Sequence, residues 1–295
     1  MKVNLITNWN EQKGLWRDGC ILERLLVAWG HQSVRVQYTD RQRPHPADLN
    51  IFLETLRPDY FSLAPVNWWV PNPEWARPED LATLTHIDRV ACKTREAEHL
   101  FTPLTDRAVY IGFESEDRYD PSVLREAKVL HIAGGSILKG TQAILAAWER
   151  YRLPYPLTVV GDEQTVKPRQ IANVTYQRER LPDEELKAFQ NSHMIHLCPS
   201  EAEGWGHTLY EAMSVNATIL TTDRLTEGLD LPPGVPTIPH GTRCLATLYR
   251  VEPEMIAYGI NLLCAAPAGL YQPRAQFFAN REQFRGRLKA LLPHS

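Results

Sequence analysis

The strongest constraint on this chain is an alternation, repeated twice, of short β-branched runs with stretches of helical apolar spacing. In the first round, residues 3–7 read as a strand. A polar loop over 8–18 leads to a helix over 19–29, where Ile21, Leu22, Leu25, Leu26 and Trp29 share one face and Gly30 stops it. Strands are expected at 34–38, 49–53, 59–64, 89–92 and 109–111, with a helix over 94–101. The second round opens with a strand at 129–133, a turn at Gly134–Gly135–Ser136 and a helix over 139–151. Strands at 157–160, 174–177, 194–197 and 218–221 follow, interleaved with helices over 183–191 and 206–215. Helices over 253–265 and 273–292 come last.

Strands alternating with helices favour parallel sheets covered by helices, so the expected fold class is α/β with two Rossmann-like domains facing a cleft. The acidic, proline-containing stretch 112–125 reads as the connection. It separates a domain at 1–117 from one at 128–270, with a C-terminal helix at 271–295 able to cross back. Ligands of such sheets bind beyond the carboxyl ends of the strands, here inside the cleft.

Composition narrows the partners. Lys+Arg 32 against Asp+Glu 35 gives a formal charge of −3, which argues against a surface built throughout for nucleic acid or anionic membrane. No charged start is followed by an apolar run, and no stretch of about eighteen apolar residues occurs, so neither a secretory signal nor a transmembrane helix is expected. Cys20, Cys92, Cys198, Cys244 and Cys264 contain no CxxC pair. They read as reduced thiols of a cytoplasmic protein, with no disulfide framework or zinc site.

The segment carrying chemistry is residues 196–223, HLCPSEAEGWGHTLYEAMSVNATILTTD. It runs from a strand through a polar loop into a helix. Glu203 sits in the loop and Glu211 about one turn inside the helix, while Gly204 and Gly206 let backbone approach a ligand. Amides at the helix start, near His207, Thr208 and Leu209, face any anion in the cleft. Taken singly, the two glutamates are ordinary helix-start acids; together they suit a sugar linked to a diphosphate. His196 and Cys198, alternating along the strand, read as core.

EGWGHTLYEAM resembles the two-glutamate motif of retaining glycosyltransferases of the GT-B fold, GT4 type. HIAGGSILKGTQAILAAW resembles the same family's phosphate-binding turn, and LTVVGD, LPDEELKAFQNSHMIHLCPS and NATILTTD match its intervening elements. The resemblance implies a nucleotide diphosphate sugar as co-substrate and no obligatory cofactor or metal; no Asp-x-Asp triplet is present. It implies Glu203 at the donor sugar beside the reacting carbon, Glu211 at the ribose and Lys139 at the diphosphate, with Glu203 and Lys139 serving catalysis. Gly135, Ser136, Gly204, Trp205, Gly206, His207, Thr208 and Leu209 would line the donor, and the backbone near Arg178 and Arg180 would meet the base. One departure stands out: the family commonly carries an arginine in the glycine turn, where this chain reads GGSILKG. Arg178, Arg180 and Lys13 are candidates to replace it.

The first half matches only in plan. Of its Trp residues, Trp9 and Trp16 fall in the first loop, and Trp68, Trp69 and Trp75 surround a second, proline-rich loop, VNWWVPNPEW. Aromatic faces suit sugars and flipped bases alike, though large aromatics more often fill cores. The acceptor-side candidates are Trp9, Lys13, Trp16, Asn67, Trp68, Asn72 and Glu74, with Glu11, Asp18, Lys93 and Thr94 also on the cleft side. The acceptor could be a saccharide, a lipid-linked sugar, a small molecule or, drawing on Arg17, Arg24, Arg35, Arg41 and Arg43, a hydroxylated base in nucleic acid. A nucleotide-sugar-binding protein without transferase activity, and an inverting GT-B enzyme, are the competing readings. A dehydrogenase is disfavoured because NWNEQKGLWRDG, not GxGxxG, follows the first strand.

Overall fold

The computed structural model describes residues 1–9, 14–40, 44–163, 165–179, 181–226, 229, 231–266 and 271–293. The first domain is a six-stranded parallel sheet of β1 (Lys2–Thr7), β2 (Gln32–Gln37), β3 (Leu49–Leu53), β4 (Val66–Val70), β5 (Arg89–Cys92) and β6 (Ala108–Tyr110), in the order β2-β1-β3-β4-β5-β6. Its helices are α1 (Gly14–Ala28), the short α2 (Pro78–Leu81) and α3 (Arg95–Phe101). The second domain is a five-stranded parallel sheet of β7 (Glu126–Gly134), β8 (Leu157–Gly161), β9 (Val174–Gln177), β10 (His193–Cys198) and β11 (Thr218–Thr221), in the order β11-β10-β7-β8-β9. Helices α4 (Thr141–Tyr151), α5 (Asp183–Ser192) and α6 (His207–Ser214) connect these strands. An antiparallel hairpin, β12 (Ile238–Arg243) and β13 (Ala246–Arg250), then precedes α7 (Pro253–Ala265) and α8 (Pro273–Leu291).

Four elements differ from expectation. Residues 59–64 are not a strand but part of a 3-10 helix, Pro58–Leu63, because Pro58 presets the first turn and only Tyr60 turns inward. The Trp-rich stretch taken for a loop contains β4, buried between β3 and β5; its flanking prolines mark the strand's ends rather than a break. Helix α1 starts at Gly14, five residues earlier than expected, and buries Asp18 and Gly19 along with its leucines. The hairpin also escaped notice, since β12 contains Pro239 and Gly241 and is largely exposed.

The two domains share more than a linker. Phe284, Leu288 and Leu292, from α8 and its end, pack in the first domain's core with Leu22, Leu25 and Trp68, while Phe277 at the start of α8 packs with Leu209 and Met213 of α6. The fully buried Glu114 carboxylate, in the connection, meets Arg285 at 2.6 Å and Arg24 at 3.2 Å.

Both sheets reverse their strand order next to their first strand, between β1 and β3 and between β7 and β10. Adjacent loops diverge at such points and leave a crevice past the carboxyl ends. The loops leaving β7 and β10 meet there, Glu201 N donating to Leu138 O at 2.7 Å.

Candidate functional site

On the second-domain wall, the turn after β7 delivers Lys139 and the loop after β10 delivers Glu203, and the two form an ion pair. Ser200 Oγ donates to the same carboxylate oxygen of Glu203 at 2.6 Å. The turn is held by its own groups: Ser136 Oγ accepts from Leu138 N at 3.2 Å, and Gly135 lies against Asp162. Gly140, the N-cap of α4, has φ +70°, and a Cβ there would lie 2.3 Å from Pro199 O. Gly140→Ala should therefore push the turn after β7 and the loop after β10 apart, costing about 1–3 kcal/mol in urea unfolding. Unchanged stability would mean that this approach is not required.

Helix α6 is N-capped by Gly206 in the left-handed region (φ 92°), leaving the His207 and Thr208 amides without partners inside the helix. Leu209 is a correction: its amide donates to Gly206 O at 2.9 Å and its side chain is core, so it offers nothing to a ligand. Glu211, one turn in, has a side chain only 3% exposed and both oxygens engaged, by Arg17 Nη1 at 2.5 Å and Gln190 Nε2 at 2.7 Å. Arg118 braces this cluster from the connection, bonding Gln190 Oε1 at 2.9 Å and Asp183 Oδ2 at 2.6 Å.

The opposite wall meets α6 through Asp18, whose carboxylate accepts from His207 Nε2 at 2.7 Å and Lys93 Nζ at 2.8 Å. Burial alone would raise its pKa, but the charges of Lys93 and His207 bring it down to about 2. His207 Nδ1 lies 2.7 Å from Ser115 Oγ, which also accepts from Trp205 Nε1 at 3.1 Å. His207 is thus fixed between the domains rather than open to a ligand. Trp205, stacked on Tyr210 with centroids 3.9 Å apart, is buried in the interface and is likewise corrected from donor contact to packing.

Asn72 and Glu74 reach the cleft from the loop after β4. Asn72 donates to Glu54 Oε2 at 2.7 Å and abuts Gly204 so closely that a Cβ there would sit 2.0 Å from Asn72 Oδ1. Glu74 is buried; desolvation and then the charge of Glu203 raise its pKa to about 7, with Lys93 opposing. An unfolded glutamate ionises near 4.5, so between that pH and 7 only the unfolded chain has lost this proton. Stability contributed by Glu74 is therefore full below pH 4.5 and falls as pH rises to 7, by about 3 kcal/mol at most. Glu74→Gln should flatten that fall, read as urea midpoints at pH 5 and 8; an unchanged slope would assign it elsewhere.

Trp9 is pinned by its indole N–H to Leu5 O and Val36 O, its ring against Gly19. Asn67 and Trp68 are buried within β4, where Asn67 joins a polar ladder with Asn50 and Asn4 (2.9 and 3.0 Å), so neither has surface for an acceptor. Trp16 is half-buried in the first turn of α1. Thr94 caps α3, accepting from Ala97 N at 3.0 Å. Arg178, past β9, pairs with Glu163 at 3.5 Å. Glu11, Lys13, Arg41, Arg43 and Arg180 lie outside the described residues. Arg17, Arg24 and Arg35 are each paired to a glutamate and do not assemble a basic face. His196 and Cys198 are core: burial lowers the imidazole to about 3 and raises the thiol to about 12.

Sequence reasoning overlooked Ser200, Gln190, Arg118 and Ser115, and weighed Arg17 only as a nucleic-acid contact. The helical spacing of Leu15, Asp18, Leu22 and Leu25 could have carried α1 back through Arg17; Ser200 lies only three residues before Glu203, whereas Gln190, Arg118 and Ser115 act across 21, 72 and 92 residues and left no local signal. Among the described residues, no group of three or more His, Cys, Asp or Glu is placed to hold a metal, and no helix is long and apolar enough to cross a membrane.

No family model and no curated protein matches the chain. Solved structures do. Anabaena HepE in complex with UDP-glucose superposes with TM-score 0.68 at 12% identity, covering 99% of this chain and 100% of that one. WaaG, a glycosyltransferase involved in lipopolysaccharide biosynthesis, superposes with TM-score 0.62 at 13% identity, covering 98% of each. The match to the GtfA/B complex (TM-score 0.57, 15% identity) covers 83% of this chain but spans only 57% of that one. Identities this low speak to architecture alone, and with the two parallel sheets facing one cleft they establish that the chain has the GT-B fold.

Proposed function

We propose that this chain is a retaining glycosyltransferase of the GT4 type, moving a sugar from a nucleotide diphosphate sugar to an acceptor hydroxyl. The observation that carries the reading is the Lys139–Glu203 pair beside the start of α6, with Glu211 one turn inside, all at the β7/β10 switch point. A glycosyl donor breaks its anomeric C–O bond toward an oxocarbenium-like sugar as negative charge grows on the leaving diphosphate. Lys139 and the His207 and Thr208 amides are fixed donors for that charge, and they strengthen as it develops. Glu203 takes the sugar hydroxyls near the forming cation, and Glu211 takes the ribose. HepE is described with UDP-glucose, so that donor is the first to try.

Incubation with UDP-, GDP- and ADP-sugars, with and without neutral saccharide acceptors, should release nucleoside diphosphate. The product should keep the donor's anomeric configuration by NMR. An inverted product would make the chain an inverting GT-B enzyme. Tight nucleotide binding with no hydrolysis or transfer would make it a binding protein.

A further inference from the structure

We propose that Arg17, supplied by the opposite domain, joins Lys139 as a second cation neutralising the leaving diphosphate, and that the donor's ribose releases it from Glu211. This deepens the donor reading above and rests on it. Glu211 is nearly inaccessible, and both its oxygens are occupied, so a ribose diol can reach it only by displacing a partner. Of the two partners, Gln190 is wholly buried and anchored by Arg118. Arg17 is 28% exposed, and its further contact, Asp183, is long at 3.6 Å. Among the described residues, the other cations nearby are more tightly held. Lys93 is 3% exposed and locked on Asp18, and Arg118 is 4% exposed and bonded to Gln190 and Asp183.

The exchange leaves no charge stranded. Two ribose hydroxyls replace the guanidinium on Glu211, so the buried carboxylate keeps hydrogen-bond donors. The freed guanidinium has a destination close by. Arg17 adjoins Asp18, which holds His207, the first residue of α6. Glu211 lies four residues beyond His207, so a shift of about 6 Å along α6 carries the guanidinium to the free amides. There a planar fork can grip two diphosphate oxygens at once. The glycine turn, GGSILKG, brings only Lys139, and that lysine is already shared with Glu203. Ribose recognition and phosphate neutralisation thereby become one event: a nucleoside alone evicts Arg17 with no anion to receive it.

Calorimetric titration of uridine and UDP into the wild type, Arg17→Ala and Arg17→Lys tests this, with guanosine/GDP and adenosine/ADP run in parallel. For the pair the wild type binds, Arg17→Ala should lose at least about tenfold in diphosphate affinity, since hydrogen bonds to charged groups are the stronger kind. Nucleoside affinity should hold or improve, and the salt dependence of diphosphate binding should weaken. Arg17→Lys, which keeps the cation and guards against misfolding, should retain part of the diphosphate preference. Equal losses for nucleoside and diphosphate would overturn the proposal, because Arg17 would then only support Glu211. Tighter diphosphate binding to Arg17→Ala would overturn it too, marking Arg17 as a simple blocker. A wild type that binds no nucleoside diphosphate would bring down the donor reading, and this inference with it.

Discussion

Glu203→Gln should slow donor turnover by about 10²–10³-fold while leaving the protein folded. The substitution keeps the side chain's volume and an oxygen for Ser200 and Lys139, so the loop after β10 stays pinned. It removes the negative charge that pairs with Lys139, and with it the stabilisation proposed above for positive charge developing on the sugar. The variant carries a second signature. The charge of Glu203 helps raise the Glu74 pKa to about 7, so its loss should lower that value and soften the fall of stability between pH 5 and 7. Nucleotide release with the preferred donor and urea midpoints at the two pH values read both effects. Wild-type turnover in the variant would remove Glu203 from the chemistry.

Phe284→Ala should cost about 3–5 kcal/mol, the range for emptying a fully buried aromatic site. Phe284 is buried against Phe113, ring centroids 4.9 Å apart, in the first domain's core although it belongs to the last helix. The cavity would therefore loosen the attachment of α8 as well as the core. Phe278→Ala, on the exposed side of the same helix, should change stability by no more than about 0.5 kcal/mol. Urea unfolding of both variants checks the pair. A Phe284→Ala loss below about 1 kcal/mol would mean that the helix contributes little to that core.

The parts of the fold legible in the sequence are those written in local periodicity. Helices α3 to α8 and most sheet strands fall within a few residues of where apolar spacing puts them, because each carries its own buried face. The misreadings share a cause. VNWWV reads as a loop because proline follows closely, and β12 gives no strand signal because its residues are exposed; in neither does the local pattern reveal the neighbour that makes it a strand. The placement of Glu203 in a loop and Glu211 one turn inside a helix was legible because that geometry follows from sequence spacing.

The sequence alone therefore carries the α/β alternation and the carboxylates around the start of α6. Only the tertiary structure decided their partners. It brought Arg17 to Glu211, Asp18 to His207 and Glu74 into the field of Glu203, across separations of 194, 189 and 129 residues. Local spacing encodes backbone conformation and which face is apolar. The pairing of charges across the cleft is set by how two finished sheets dock, and no stretch of either half records it alone.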